Sequence, residues 1–96
     1  MAPFDAKRIE DYLKKLDPPW KHVVSEGVDK IQREFNFKDF AKAMEFVNKV
    51  ALLAEREGHH PEIHISYNKV RLVSWTHAIK GLSENDFILT AKINLL

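Results

Sequence analysis

Apolar residues first recur at helical spacing in Ile9, Leu13 and Leu16, which fall along one side of a helix. Asp5 is placed to cap that helix, Phe4 and Ile9 occupy the two positions of a hydrophobic staple, and Pro18-Pro19 ends the run. The pattern then changes to alternation. Trp20 to Ser25 reads as a strand, Glu26-Gly27 as a turn, and Val28 to Phe37 as a second strand with Ile31, Phe35 and Phe37 on one parity. From Asp39, a second cap, the helical period returns and runs to about Glu57, with Gly58 as a left-handed stop. This helix carries two apolar stripes: Phe40, Met44, Val47, Ala51 and Ala54, and beside them Ala43, Phe46, Val50 and Leu53. Two stripes exceed what one sheet face covers, so the helix is either deeply buried or also packs against another subunit.

Glu62 to Tyr67 and Val70 to His77 alternate again, as two strands around Asn68-Lys69, a length suited to a tight hairpin. With Tyr67 facing Val70, the residues Ile63, Ile65, Tyr67, Val70 and Leu72 share the core face. Glu62, His64, Val73 and Trp75 take the other, and the open end sets His60 opposite His77. Pro61 removes one ladder donor there. Ser83 and Asp86 form a capping-box pattern for a last helix, with Leu82 and Phe87 as its staple. The order α-β-β-α-β-β-α predicts an α+β fold, a four-stranded antiparallel sheet with three helices packed on one face.

The 96 residues suffice for a single domain over 1–96, and the 45% hydrophobic content is enough for a core without staples. No cysteine is present, which removes disulfides, thiolate nucleophiles and cysteine-based zinc sites and suits a reducing, cytoplasmic setting. Fifteen Lys and Arg against fourteen Asp and Glu give a net charge of +1, without the basic surplus that direct nucleic-acid binding requires. The opening Met-Ala-Pro-Phe-Asp lacks a basic region followed by an apolar run, so no secretory signal is expected. No stretch approaches the roughly 20 apolar residues of a membrane span.

Chemistry gathers where the hairpin brings chain ends together. His59 and His60 arrive from the end of the long helix and His77 from the end of a strand. Imidazole both takes and gives a proton near neutral pH, so a histidine cluster without thiol or serine points to general acid–base work. Glu55, four residues before His59, is placed to orient that ring, and Asp86 sits at a helix start close to His77 in sequence. Taken alone, Glu55 also reads as a solvated charge, Asp86 as a cap, Trp20 and Trp75 as packing aromatics, and His22 and His64 as ordinary strand residues. A zinc site on His59, His60, His77 and Glu55 is a competing reading, although adjacent histidines seldom aim at one ion.

Glu55, three residues, His59-His60-Pro61, five residues, Tyr67, nine residues, His77, eight residues, Asp86 resembles the signature of the pterin-4a-carbinolamine dehydratase family. FNFKDF, VALLAE, GHHPE, YNKV and GLSENDF around it are similar to that family as well, over about residues 20–93. The resemblance implies a lyase that removes water from 4a-hydroxytetrahydropterin (4a-hydroxytetrahydrobiopterin in tetrahydrobiopterin recycling) to give a quinonoid dihydropterin, with no metal or organic cofactor. It implies proton transfer by His59 and His77, substrate holding by His60, and support from Glu55 and Asp86. Pterin contacts would fall on Gly58, His59, His60, Trp75, Thr76, His77 and Ala78. At Ile63 the chain departs from animal members, which carry an aromatic residue. The resemblance further implies homodimers joined through the sheet, homotetramers joined through helices, and for some animal members a homeodomain transcription factor as partner and a nuclear as well as cytoplasmic location. A non-catalytic dimerisation module is therefore the second functional reading.

Overall fold

A computed structural model describes residues 2–96 as α1 (Ala6–Leu13), β1 (Lys21–Ser25), β2 (Val28–Asn36), α2 (Phe40–Glu57), β3 (Glu62–Ser66), β4 (Lys69–Ser74), a 3₁₀ turn (His77–Ile79) and α3 (Glu84–Ile93). The helix boundaries follow local chemistry. Asp5 Oδ1 accepts from the Arg8 N–H at 2.9 Å and Asp39 Oδ1 from the Lys42 N–H at 2.9 Å, each satisfying a donor the helix leaves open. Gly58 ends α2 at φ 66°, a left-handed conformation that costs a residue with a Cβ about 1–2 kcal/mol. Both Gly58 and His59 donate their backbone N–H to the Ala54 carbonyl, the His59 bond at 3.2 Å, which closes the helix and fixes where the next residues leave it.

The strands form one antiparallel sheet in the order β1-β2-β4-β3. The hairpin register differs from the sequence expectation. Ile65, not Tyr67, faces Val70, and Ser66 faces Lys69, so the two-residue turn is Tyr67-Asn68. A displacement of two residues preserves parity, so Ile63 and Leu72 still share the core side. Tyr67 does not: it adopts φ 50° in the turn and is exposed. The reason lies outside the hairpin. Asn68 Nδ2 donates to the Phe37 carbonyl at 3.0 Å while the Phe37 N–H donates to the Asn68 carbonyl at 2.8 Å, drawing Asn68 into the turn beside the end of β2. Strand β4 also ends at Ser74, short of the expected His77, which instead opens the 3₁₀ turn. The expected pairing of His60 with His77 across the sheet is therefore replaced by another arrangement.

The core lies between the sheet and the helices. Ile31, Val70 and Leu72 meet Ala43, Val50 and Leu53 of α2 and Leu82, Phe87, Leu89 and Ile93 in and before α3, with Ile9 from α1. Each large aliphatic side chain so buried stabilises the fold by about 1.5–3 kcal/mol. The stripe of Ala43, Phe46, Val50 and Leu53 is covered, whereas the first is only partly used, because Phe40 and Ala51 remain exposed, as does Leu52 beside them. At the sheet's far end Asn94 Oδ1 accepts from Trp20 Nε1 at 2.8 Å and Arg33 Nη1 at 2.7 Å, tying α3 to the first hairpin. The chain before α1 lies against the start of α3: Phe4 N–H donates to the Leu82 carbonyl at 2.8 Å, and a Cβ at Gly81 would meet the Pro3 Cβ at 2.5 Å. Among the described residues no helix is long and apolar enough to cross a membrane.

Candidate active site

Asp86 stands at the third position of α3, where the helix dipole favours an anion, and its residue surface is 0% exposed. A carboxylate in that position must be fully hydrogen-bonded, and it is. Its Oδ1 accepts from Ser74 Oγ at 2.7 Å and lies 2.6 Å from His59 Nε2. Its Oδ2 accepts from Thr76 Oγ1 at 2.8 Å and from the Ser83 backbone N–H at 3.0 Å. Thr76 Oγ1 also lies 2.7 Å from Ser83 Oγ. One buried group thus gathers the segment after α2, the end of β4, the residue before His77 and the cap of α3. Capping explains a single one of those four contacts.

Against an ionised Asp86, whose Oδ1 only accepts, Nε2 of His59 is the donor, and Nδ1 is then the ring nitrogen left for a ligand. The side chain is 15% exposed, enough for access from one side. Glu55 does not orient His59 as its spacing predicts; it pairs with His60 Nε2 on the surface. The physical reason is the left-handed Gly58, which takes His59 off the helix axis and so voids the i,i+4 relationship.

His77 takes a third kind of partner. Its ring stacks on the indole of Trp75, centroids 3.8 Å apart and planes 21° from parallel. Trp75 Nε1 donates to Glu62 Oε2 at 2.8 Å, and Lys30 Nζ lies 4.5 Å from the indole centroid and 3.9 Å from Glu62 Oε2. The indole N–H holds the Glu62 carboxyl below its ordinary range; partial burial opposes this, while His64 and Lys30 add to the lowering. Thr76 exchanges backbone bonds with Gly81 (Thr76 N–H to Gly81 carbonyl 2.7 Å), closing the short loop that bears His77 and the exposed Ala78. The three imidazoles therefore have separate anchors, Asp86, Glu55 and Trp75, while the His59 and Thr76-His77 segments meet on one carboxylate.

Ser74, Ser83 and Glu62 belong to this network although the spacing of the histidines does not point to them. Ser74 has a signal of its own: it lies opposite Ile31 on the core face, where a hydroxyl calls for a buried partner. The other strand histidines sit with local carboxylates, His22 Nε2 at 2.8 Å from Asp29 and His64 Nε2 at 3.2 Å from Glu62. Among the described residues no three His, Cys, Asp or Glu side chains are grouped so as to hold a metal ion.

Fold and site together describe an α+β protein that collects histidines and carboxylates where the second hairpin meets the ends of two helices. The family model described as pterin 4 alpha carbinolamine dehydratase matches residues 2–96. A protein of Marinobacter nauticus named "Putative pterin-4-alpha-carbinolamine dehydratase" is 45% identical over 96 residues, covering 96% of this chain and 86% of its own length. One of the same name from Syntrophotalea carbinolica is 46% identical over 91 residues, covering 95% and 80%. The crystal structure of a transcriptional coactivator/pterin dehydratase from Brucella melitensis superposes with a TM-score of 0.85 at 34% identity, over 97% of this chain and 96% of that one. A pterin dehydratase-like RuBisCO assembly factor of the alpha-carboxysome shares the fold, with a TM-score of 0.66 at 19% identity over 79% and 86% of the two chains. This chain belongs to the pterin-4a-carbinolamine dehydratase family.

Proposed function

We propose that the protein is a hydro-lyase that dehydrates 4a-hydroxytetrahydropterin to a quinonoid dihydropterin and water, without metal or organic cofactor, and so serves tetrahydrobiopterin recycling. The observation that carries this reading is the buried Asp86 carboxylate, which holds His59 directly and the segment bearing His77 through Thr76. Hydroxide is a poor leaving group. One imidazolium protonates the C4a hydroxyl as the C–O bond breaks, the ring-nitrogen lone pair forms the new double bond, and a second group accepts the proton lost from that nitrogen. His59 and His77 are assigned these two transfers, and the exposed His60–Glu55 pair is assigned to holding the substrate. Gly58, Trp75, Thr76 and Ala78 would shape the pterin site around them.

Positioned acid–base groups contribute about 10²–10⁴-fold each. A carbinolamine already loses water unaided, so that range suffices without a nucleophile. The test is decay of 4a-hydroxytetrahydropterin with and without protein: acceleration supports the assignment, and decay at the buffer rate rejects it. A cytoplasmic homodimer or homotetramer belongs to the same proposal. The second reading, an interaction module for a transcription factor, is favoured by the coactivator role named for the Brucella melitensis protein and by exposed Phe40 and Leu52 on α2. Light scattering on the purified protein decides the oligomeric part.

A further inference from the structure

We infer that Glu62 is a positioning residue for His77: by holding the indole of Trp75 it fixes the surface on which the His77 ring lies. This deepens the dehydratase reading and rests on it for its kinetic consequence. His77 opens a three-residue turn and is exposed, so its backbone leaves the ring free to rotate. Its plane is set by the stack on Trp75, 3.8 Å away and 21° from parallel. The indole is set in turn by Nε1 donating to Glu62 Oε2 at 2.8 Å, a charge-assisted bond. Glu62 stands on β3 opposite Val73, two residues after His60, and β4 carries the chain on to Trp75. That hydrogen bond therefore ties a side chain of the strand that follows the His59-His60 pair to the indole on which the third histidine lies. The lowered Glu62 carboxyl, for which the indole bond is the leading cause, agrees with this geometry. Lys30 braces the same indole and carboxylate from β2. Ring orientation matters for proton transfer because the reacting atoms must sit within hydrogen-bond reach, and misplacement by about 1 Å can cost on the order of 100-fold.

The test uses the full chain and two readouts. In proton NMR the Cε1–H of His77, assigned through His77→Ala, is expected upfield of the other histidines because of the indole ring current. Glu62→Ala returns it toward the position of a free imidazole, whereas Glu62→Gln, whose amide oxygen still accepts the indole hydrogen, keeps it upfield. In the dehydration assay Glu62→Ala lowers kcat by about tenfold with KM changed less than about twofold, and Glu62→Gln restores most of the rate. Trp75→Phe, which removes the N–H and keeps an aromatic face, lowers kcat like Glu62→Ala, and the double variant falls no further. Thermal unfolding by circular dichroism confirms that each variant is folded. An unshifted His77 resonance in Glu62→Ala, a Gln variant as slow as the Ala variant, or additive losses in the double variant would overturn the inference. If the unmodified protein fails to accelerate dehydration, the dehydratase reading falls, and the resonance of His77 still decides whether Glu62 sets the ring.

Discussion

His59 Nε2 lies 2.6 Å from Asp86 Oδ1, and that carboxylate is sealed from solvent by the residues it binds. The relationship is asymmetric. Asp86 has four partners and would hold its place without His59, whereas the histidine owes its tautomer and orientation to the acid. The rigid partner belongs to the helix and the accessible one to the loop, which suits the proton transfer proposed for His59, a role that needs a group both fixed and reachable.

Replacing Asp86 by Asn tests that dependence. The amide has one acceptor atom for four donors, so two or more buried bonds to a charged group are lost, and stability falls by about 3 kcal/mol. Turnover falls by about tenfold or more, because His59 no longer holds its Nε2 hydrogen toward a carboxylate. Urea unfolding and dehydration kinetics on the same variant measure both effects.

The exposed pair behaves differently. Glu55→Ala removes the partner of His60, not of His59, and both side chains are more than half exposed. Stability should therefore change by less than about 1 kcal/mol. The kinetic change should appear in KM and follow that of His60→Ala, with kcat close to normal. A large kcat loss in Glu55→Ala would mean that Glu55 acts on His59 during turnover.

What could be read along the chain was whatever is decided locally. Asp5, Asp39 and Ser83 each sit one residue before a helix, and Gly58 ends the longest one, because capping and left-handed stops depend on a few neighbouring atoms. Faces of the strands were legible for the same reason, since parity survives a two-residue displacement. The turn itself was not, because Asn68 is claimed by Phe37, just past the end of β2. Nor was the exchange of Glu55 from His59 to His60, which depends on the direction the chain takes after Gly58. Asp86 was nominated from its position and its resemblance to a family, but its four-way coordination needed Ser74 and Thr76 to be brought alongside in space. Local rules placed the caps, the stop and the strand faces; long-range packing decided which side chains pair.

Gly58→Ala isolates the cost of the turn that delivers the histidines. Nothing lies within 4 Å of the added Cβ, so the penalty is one of backbone conformation at φ 66°. A loss of about 1–2 kcal/mol is expected in urea unfolding, with an unchanged m-value. Activity should decline alongside, since the same residue aims His59 and His60.

Acidification reports on Glu62. Its folded carboxyl titrates below the ordinary value of 4.5, so folding favours the ionised form. Its contribution is complete above that ordinary value and disappears as pH falls through the lowered folded one. The difference in Tm between the unmodified protein and Glu62→Gln should be steady from neutral pH to about 5 and narrow on further acidification. A difference that grows in acid would reverse the sign and refute a lowered Glu62 carboxyl.

The most direct measurement follows a single turnover of 4a-hydroxytetrahydropterin by stopped-flow absorbance, with His77→Ala and His59→Ala beside the unmodified chain. Acid–base catalysis by these histidines predicts dehydration well above the buffer rate and a fall of about tenfold or more in each folded variant. Two folded variants that turn over at the rate of the unmodified protein would contradict it.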